Sequence, residues 1–358
     1  MNIDKRVAMI ASVGEELITE EDLRTLLIDQ PHPVAYNGFE PSGRLHLAQS
    51  LFVAINVNKL TAAGCKFIMF LADWHAQANN KFGGDLEKIQ TCGKYFIEVW
   101  KACGMDLEHV KFVWSSDLVK DPAYWQLVLR IAMENSVERI KRCSQIMGRS
   151  ESDSLSAAQI LYPCMQAADV FYMGVDICQL GVDQRKVNVL AREMAPKLGF
   201  RKPIMLSNRM LMGLLEPPKG DMDPVARATA MKMSKSVPDS AIFATDSAVD
   251  VERKISRAYC PAGQLEDNPI LEYCKYLIFP LHNQLVIDRP EKFGGLVEFS
   301  DYESLAASYS QGSIHPMDLK KAVAIAINKS LEPIREHFQN DEVAKKLKAQ
   351  VESYQVSR

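Results

Sequence analysis

The sequence predicts an α/β protein in which a doubly wound parallel sheet is followed by a smaller helical domain. The first half of the chain alternates strand-like and helix-like segments with short connections, as parallel strands with right-handed crossovers do. Residues 66–72 are almost wholly apolar, which is typical of a strand buried on both faces. Beyond about residue 240 the pattern is mainly helical, and 358 residues are enough for two domains.

The elements of the first domain alternate in kind along the chain. The predicted strands lie at 34–36, 66–72, 110–114, 175–179 and 204–207. The predicted helices lie at about 45–63, 86–103 and 156–172, and one more opens at Asp183. In the first of these helices Leu47, Leu51 and Ile55 recur at a spacing of four residues, which places them on one face.

A helical insertion is predicted at about 117–158. Its basic cluster, Arg139, Lys141 and Arg142, fits a contact with another subunit or with RNA, and equally the solvated face of a helix.

Residues 216–231 are rich in Pro, Gly and Asp without periodicity, and so predict a long surface loop. The predicted domains are residues 1–239 and 240–358.

Composition excludes several classes of site. The 42 basic and 45 acidic residues give a net charge of −3, so any surface for nucleic acid must be local. The eight cysteines form no C-x-x-C pair, which suits thiols in a reducing compartment rather than zinc ligands or disulfides. No apolar run reaches the length of a membrane span, and the N-terminal residues lack a signal-peptide core. We therefore expect a cytoplasmic protein without a metal of its own and without a membrane partner.

The segment YNGFEPSGRLHLAQS, residues 36–50, predicts a strand, a turn and the start of a helix. Unpaired backbone N–H groups at a helix N-terminus attract anions, Gly43 permits close approach, and His46 can donate a hydrogen bond. The segment therefore suits phosphate, although a glycine before a helix is more often only a turn.

KMSKS, residues 232–236, places two lysines and two hydroxyls within five residues. On a loop, such a donor set can close over a polyphosphate as charge develops on it. A solvated basic turn is the alternative.

LYPCMQAADVFY, residues 161–172, places Tyr162, Gln166 and Asp169 on one face of a helix. Buried polar groups need hydrogen-bond partners, which are either neighbouring side chains or a ligand's ammonium and hydroxyl groups.

Taken together, these segments resemble the tyrosyl-tRNA synthetases of class I, a family with a Rossmann-like catalytic domain and a helical anticodon-binding domain. The archaeal and eukaryotic branch is most similar, and plant-type cytoplasmic enzymes most of all within it. The family's ideal His-Ile-Gly-His is here His46-Leu47-Ala48-Gln49. The resemblance implies a tyrosine–tRNA ligase and a homodimer, which acts on L-tyrosine, ATP with Mg²⁺, and tRNA(Tyr).

The resemblance also implies roles for individual residues. The residues implied in catalysis are His46, Gln49, Lys232 and Lys235. Those implied in tyrosine binding are Tyr36, Gly38, Glu40, His75, Tyr162, Gln166, Asp169 and Gln184. Those implied in ATP binding are Gly43, His46, Gly181, Asp183, Met205, Leu206, Lys232, Met233, Ser234, Lys235 and Ser236. Phe293, His315 and Asp318 match the region that reads the anticodon.

Some of these residues have simpler interpretations. Asp183 could N-cap the following helix, His75 could be a structural core histidine, and His315 to Asp318 also make a sensible helix start. The alternative functions are a tryptophan enzyme of the same fold, a catalytically silent paralogue that binds RNA or signals to other proteins, and a nucleotidyltransferase without an RNA partner.

Overall fold

A six-stranded sheet forms the first part of the molecule. The structure, a computed structural model, describes residues 1–148 and 154–354. The strands are β1 Glu16–Ile18, β2 Val34–Phe39, β3 Lys66–Leu71, β4 Val110–Trp114, β5 Ile177–Gly181 and β6 Ile204–Asn208. Their order is β1-β6-β5-β2-β3-β4, in which β2 to β6 run parallel and β1 pairs antiparallel with β6.

The helices of this part cover both faces of the sheet. Alternate residues of β3 enter different cores: Phe67 and Met69 join one apolar cluster, and Phe70 joins another. The helices are α1 Ile3–Ala11, α2 Glu20–Asp29, α3 Leu51–Ala62, α4 Asp73–Ala78, α5 Leu86–Ala102, α6 Ser115–Leu118, α7 Pro122–Met133, α8 Val137–Lys141, α9 Ala157–Tyr172, α10 Arg185–Leu198 and α11 Pro224–Met231.

The remainder of the chain is mainly helical, as the sequence predicts, with one small hairpin. Its helices are α12 Ala248–Arg257, α13 Pro269–Tyr273, α14 Phe279–His282, α15 Tyr302–Ser310, α16 Pro316–Asn340 and α17 Glu342–Ser353, and its strands are β7 Leu285–Ile287 and β8 Val297–Phe299. None of the helices in the described part of the chain is both long and apolar enough to cross a membrane.

The prediction of one helix at 45–63 is wrong at its start. A 3₁₀ turn at Leu47–Gln49 is followed by α3, and Ser50 between them has φ −112° and ψ −91°, which is not helical. The reason is tertiary: the Leu47 N–H donates to the Ile242 carbonyl, and the Ala244 N–H donates to the Leu45 carbonyl. His46 therefore lies in a bridge to Phe243 and not in the first turn of a helix.

The predicted loop at 216–231 is also partly wrong, because α11 occupies its second half. Eight residues with one proline at the start give too short a window for periodicity to reveal a helix. The strand predicted at 175–179 lies two residues later, and the short N-terminal strand β1 was not predicted at all.

The predicted insertion at 117–158 contains the helices α7 and α8 and a 3₁₀ turn at Ser144–Met147; residues 149–153 lie outside the described residues. Within its basic cluster, the Arg139 guanidinium pairs with Glu193 at 2.8 Å, so this side chain packs against α10.

Candidate active site

A cleft of about 420 Å³ opens at the carboxyl ends of β2 and β5. These strands are neighbours, but the chain proceeds from β2 to β3 and β4 on one side and from β5 to β6 on the other. The cleft therefore lies where the strand order reverses, which is where open α/β sheets bind ligands.

Most of the predicted site residues meet in this cleft. Its walls include Tyr36, Gly38, Glu40, His46, Gln49, His75, Tyr162, Gln166, Asp169, Gly181, Asp183, Gln184, Lys232, Met233, Ser234, Lys235 and Ser236. Residues that are far apart in the chain are thus brought together by the sheet and by the loop before Ser240.

Three of the predicted nucleotide-binding residues do not line the cleft. Gly43 forms a turn with φ +91° beside it. Met205 and Leu206 are buried in the middle of β6, where Met205 pairs with Cys178. The cleft begins at the last residue of this strand, so residues 208–211 form its wall instead.

The deep end of the cleft combines a free hydroxyl with a buried carboxylate. The Tyr36 hydroxyl is buried and has no hydrogen-bond partner among the described residues. Burial raises its pKa well above the usual value, and the nearby Cys178 and Asp169 raise it further, so the hydroxyl stays protonated. Asp169 is 1% exposed. Such a pair can hold a ligand hydroxyl, which accepts a hydrogen bond from the Tyr36 hydroxyl and donates one to the Asp169 carboxylate.

Asp169 is itself held by its neighbours. The Tyr124 hydroxyl donates to Oδ1 at 2.9 Å, and His75 Nε2 lies 3.0 Å from Oδ2. Burial opposes a charge on His75, but the carboxylates of Asp169, Glu40 and Asp73 raise its pKa above the usual value. His75 is thus both a buried neighbour of Asp169 and part of the cleft wall.

The middle of the cleft carries polar groups from α9 and the start of α10. The Tyr162 hydroxyl donates to Glu40 Oε1 at 2.7 Å, and Gln166 Nε2 donates to Gln184 Oε1 at 3.2 Å. Gln166 Oε1 is buried without a partner among the described residues. The Glu40 carboxylate and the free amide oxygen of Gln166 line the same cleft and accept hydrogen bonds, which is what a ligand ammonium needs.

The open end of the cleft gathers donors from both of the predicted phosphate segments. Lys235 lies with Nζ 3.4 Å from Ser42 Oγ and above the Phe96 ring. Burial lowers the pKa of Lys235 to about 7. Burial also holds the pKa of His46 well below the usual value, and the charges of Lys235 and Lys232 add to this. A neutral His46 can donate a hydrogen bond without adding charge.

Asp183 does not cap a helix with its side chain, so the capping interpretation is wrong. Its Oδ2 accepts from Lys232 Nζ at 3.4 Å. Its Oδ1 lies where a side chain at position 181 would be, since a Cβ on Gly181 would come within 2.6 Å of it. Gly181 therefore leaves room for the Asp183 carboxylate at the end of β5.

Among the side chains in or beside the cleft that were not predicted, two bear on its chemistry. Lys81 lines the cleft with Nζ 3.7 Å from Glu40 Oε2, on a tight turn in which Asn80, Phe82 and Gly83 all have positive φ. The sequence Asn-Asn-Lys-Phe-Gly-Gly predicts a turn, but it does not show that the lysine side chain points into the cleft. Tyr124 is the other, since nothing in its helix links it to Asp169.

Phe293, His315 and Asp318 lie outside the cleft, in the C-terminal part of the chain. The Phe293 side chain is 61% exposed. His315 Nδ1 accepts from the Met317 N–H at 3.2 Å and caps α16, as the helix-start interpretation predicts. Their role in RNA binding stays a prediction.

The chain is similar in sequence to known proteins over nearly its whole length. A family model described as tRNA synthetases class I (W and Y) matches residues 29–332. Tyrosine–tRNA ligase 1, cytoplasmic, from Arabidopsis thaliana is 50% identical over 359 residues, which cover 99% of this chain and 90% of that protein. This identity supports the predicted likeness to plant-type enzymes.

The fold is similar to solved structures as well. The tyrosyl-tRNA synthetase of Pyrococcus horikoshii, complexed with L-tyrosine, has a TM-score of 0.90 and 36% identity, with 98% of this chain and all of that one covered. The Leishmania major enzyme, in complex with tyrosinol, has a TM-score of 0.89 and 43% identity. This chain is covered completely in that comparison but spans only 54% of the Leishmania chain.

Proposed function

This chain belongs to the class I tRNA synthetases for tryptophan and tyrosine, and we propose that it is a tyrosine–tRNA ligase. The enzyme activates L-tyrosine with ATP and transfers it to the 3′ end of tRNA(Tyr). One observation carries the proposal: the free Tyr36 hydroxyl and the buried Asp169 lie in the same cleft as KMSKS and His46.

In the first step, a carboxylate oxygen of tyrosine attacks the α-phosphorus of ATP. The bond from this phosphorus to the bridging oxygen breaks, which gives tyrosyl-adenylate and pyrophosphate. In the second step, a hydroxyl of the terminal tRNA ribose attacks the tyrosyl carbonyl, and AMP leaves. The enzyme supplies position and charge in both steps and needs no covalent intermediate.

The residues of the cleft divide these tasks along its length. Tyr36 and Asp169 hold the substrate phenol at the deep end. Tyr162, Gln166 and Gln184, together with Glu40, hold the ammonium group, and Asp183 and Gly181 hold the ribose of ATP. His46, Lys232 and Lys235 stabilise the pentavalent phosphorus and the departing pyrophosphate, and Gln49 lies beside them. ATP brings Mg²⁺ with its phosphates.

Selection of tyrosine follows from the deep end of the cleft. Phenylalanine would leave the buried Tyr36 hydroxyl without a partner and the remaining lone pairs of Asp169 without a donor, which is costly for buried groups. Tyrosyl-tRNA synthetase is a standard example of this principle, with a discrimination of ~10⁵ against phenylalanine. An indole would not supply the hydroxyl either.

Contacts beyond the cleft are part of the same proposal. Phe293 stacks on an anticodon base of tRNA(Tyr), as aromatic side chains do with single-stranded RNA, and His315 and Asp318 contact neighbouring bases. The enzyme is a homodimer. It works in the cytoplasm, as its Arabidopsis relative, which is named cytoplasmic, supports.

The test is ATP–pyrophosphate exchange with purified protein, in which each of the twenty amino acids is supplied in turn. Exchange with tyrosine alone is the expected result, and charging of tRNA(Tyr) transcripts then tests the second step. A preference for tryptophan would identify the sister enzyme of the family. Absence of exchange with all twenty amino acids would overturn the proposal and favour an RNA-binding paralogue. Gln49 would then be the first residue to examine.

A further inference from the structure

Both oxygens of the Asp169 carboxylate are engaged by the protein itself. The Tyr124 hydroxyl donates to Oδ1 at 2.9 Å, and His75 Nε2 lies 3.0 Å from the other oxygen, Oδ2. A carboxylate has about four lone-pair sites, so positions for a ligand hydroxyl remain. The two neighbours determine which way those positions face.

Tyr124 does not line the cleft, and it is 0% exposed. Its ring packs edge-on against Trp125 and Tyr172, at centroid distances of 5.7 and 5.6 Å. These contacts and the packing of α7 against α9 in one apolar cluster leave the hydroxyl little freedom.

The hydroxyl has a clear preference for Asp169. Its other neighbour, the Met165 carbonyl, lies at 3.4 Å, and a hydroxyl has only one proton to donate. Burial raises the pKa of Tyr124 far above the usual value, and the charge of Asp169 adds to this, so the proton stays on the phenol. Hydrogen bonds from a neutral donor to a buried carboxylate are among the stronger ones in proteins.

We propose that Tyr124 is a positioning residue for substrate selection: it fixes the Asp169 carboxylate so that the free lone pairs meet the substrate's phenolic hydroxyl. Tyr124 touches no substrate atom. Without its hydroxyl, Asp169 is held from the His75 side alone and can turn about its last side-chain bond. The carboxylate orientation that accepts a hydrogen bond from the phenol of tyrosine is then only one of several. The inference rests on the proposed function and names a further residue that this selection requires.

The test compares Tyr124→Phe with the parent enzyme in ATP–pyrophosphate exchange, with L-tyrosine and with L-phenylalanine. We expect kcat/KM for tyrosine to fall about 10- to 100-fold, mainly through KM, because the substrate loses a well-placed charged acceptor. The value for phenylalanine should hardly change, because this substrate makes no bond to Asp169. The ratio between the two amino acids, which a merely structural role would not move, is therefore the readout.

Tyr172→Phe is the matched control. It removes the same atom from the neighbouring ring, whose hydroxyl donates to Asp121 at the surface and not to Asp169. This variant should keep the parent ratio. Thermal melting of both variants reports any loss of folded protein, and Tyr124→Met, which also lacks the donor, gives a second measurement if Tyr124→Phe does not fold.

Two outcomes would overturn the inference. In one, Tyr124→Phe keeps the parent ratio; in the other, it loses activity equally toward both amino acids, as a packing defect would cause. Failure of the proposed function looks different, because the parent enzyme itself would then show no tyrosine-dependent exchange.

Discussion

Lys235 is a partly buried lysine on the loop that carries KMSKS. Its side chain is half-buried against the Phe96 ring, and burial lowers its pKa to about 7. In the free enzyme its charge is therefore partly lost at neutral pH. The phosphates of ATP favour the charged form and restore it.

Replacement of Lys235 by methionine should slow formation of tyrosyl-adenylate in a single turnover by about 100- to 1,000-fold, as loss of a transition-state donor does. The affinity for tyrosine should stay unchanged, because the tyrosine phenol lies at the deep end of the cleft and its ammonium group in the middle, whereas Lys235 lies at the open end. Lys219→Met, on an 89% exposed side chain, is the control. A single-turnover rate of Lys235→Met equal to that of the parent enzyme would show that Lys235 does not take part in the reaction.

Binding of ATP should also take up a proton at this residue. Above pH 7 Lys235 is mostly neutral in the free enzyme, and the bound phosphates raise its pKa, so uptake approaches about one proton near pH 8. Below pH 6 Lys235 is already charged, and uptake should vanish. Calorimetric titration in buffers with different heats of ionisation measures this number. An equal uptake by Lys235→Met would contradict the assignment.

At the scale of elements, the segments around His46 and Phe243 form one unit. Asp246, 5% exposed, accepts from Arg44, from Lys254 and from the Phe243 N–H at distances of 3.1, 2.6 and 2.9 Å. The same unit includes the backbone bonds between 45–47 and 242–244. The position of His46 thus depends on residues that follow KMSKS in the chain.

Replacement of Asp246 by alanine leaves the buried Lys254 ammonium without its charged partner, which costs about 3–5 kcal/mol in comparable cases. Urea unfolding measures this loss in the free energy of unfolding. We also expect slower adenylate formation, because His46 loses its support. Asp239→Ala, which removes an exposed partner of Arg253, should change little. Loss of stability without any loss of rate would contradict this coupling.

At the scale of the whole molecule, the insertion presents apolar side chains to solvent. Leu129 and Met133 on α7 and Val137 on α8 are 55, 84 and 52% exposed. Exposed apolar side chains grouped in this way often mark an interface between proteins. Because these side chains lie in the predicted insertion, we place the contact of the proposed homodimer on this face.

Met133→Glu should therefore shift the protein from dimer to monomer, because a charge cannot be buried unpaired in an apolar interface. Analytical ultracentrifugation over a range of concentrations measures the change. Val249→Glu, at a 73% exposed apolar position on α12, is the matched control. A parent protein that is monomeric at all concentrations, or a variant that stays dimeric, would rule out this face.

The division of the chain into residues 1–239 and 240–358 stays a prediction, and the contacts of Asp246 cross it. The Arg335 guanidinium on α16 donates to the Asp246 carbonyl, and His337 lies 2.8 Å from Glu98 on α5. The C-terminal helices thus contact both the unit around His46 and the helices of the sheet.

The sequence by itself determined the class of fold, the family and most of the cleft. Buried parallel strands read as apolar runs, the face of α9 follows from helical spacing, and KMSKS is contiguous. These signals are local, so no partner segment is needed to read them.

Only the tertiary structure decided features that depend on contacts between distant segments. The turn at Leu47–Gln49 replaces the predicted helix start because residues 242–244 take its backbone hydrogen bonds. The cleft wall falls at Met210 and Leu211 rather than at Met205 because the length of β6 is set by its pairing with β5. Tyr124 reaches Asp169 only because α7 packs against α9. A pattern within one segment carries no information on which atoms another segment will bring to it.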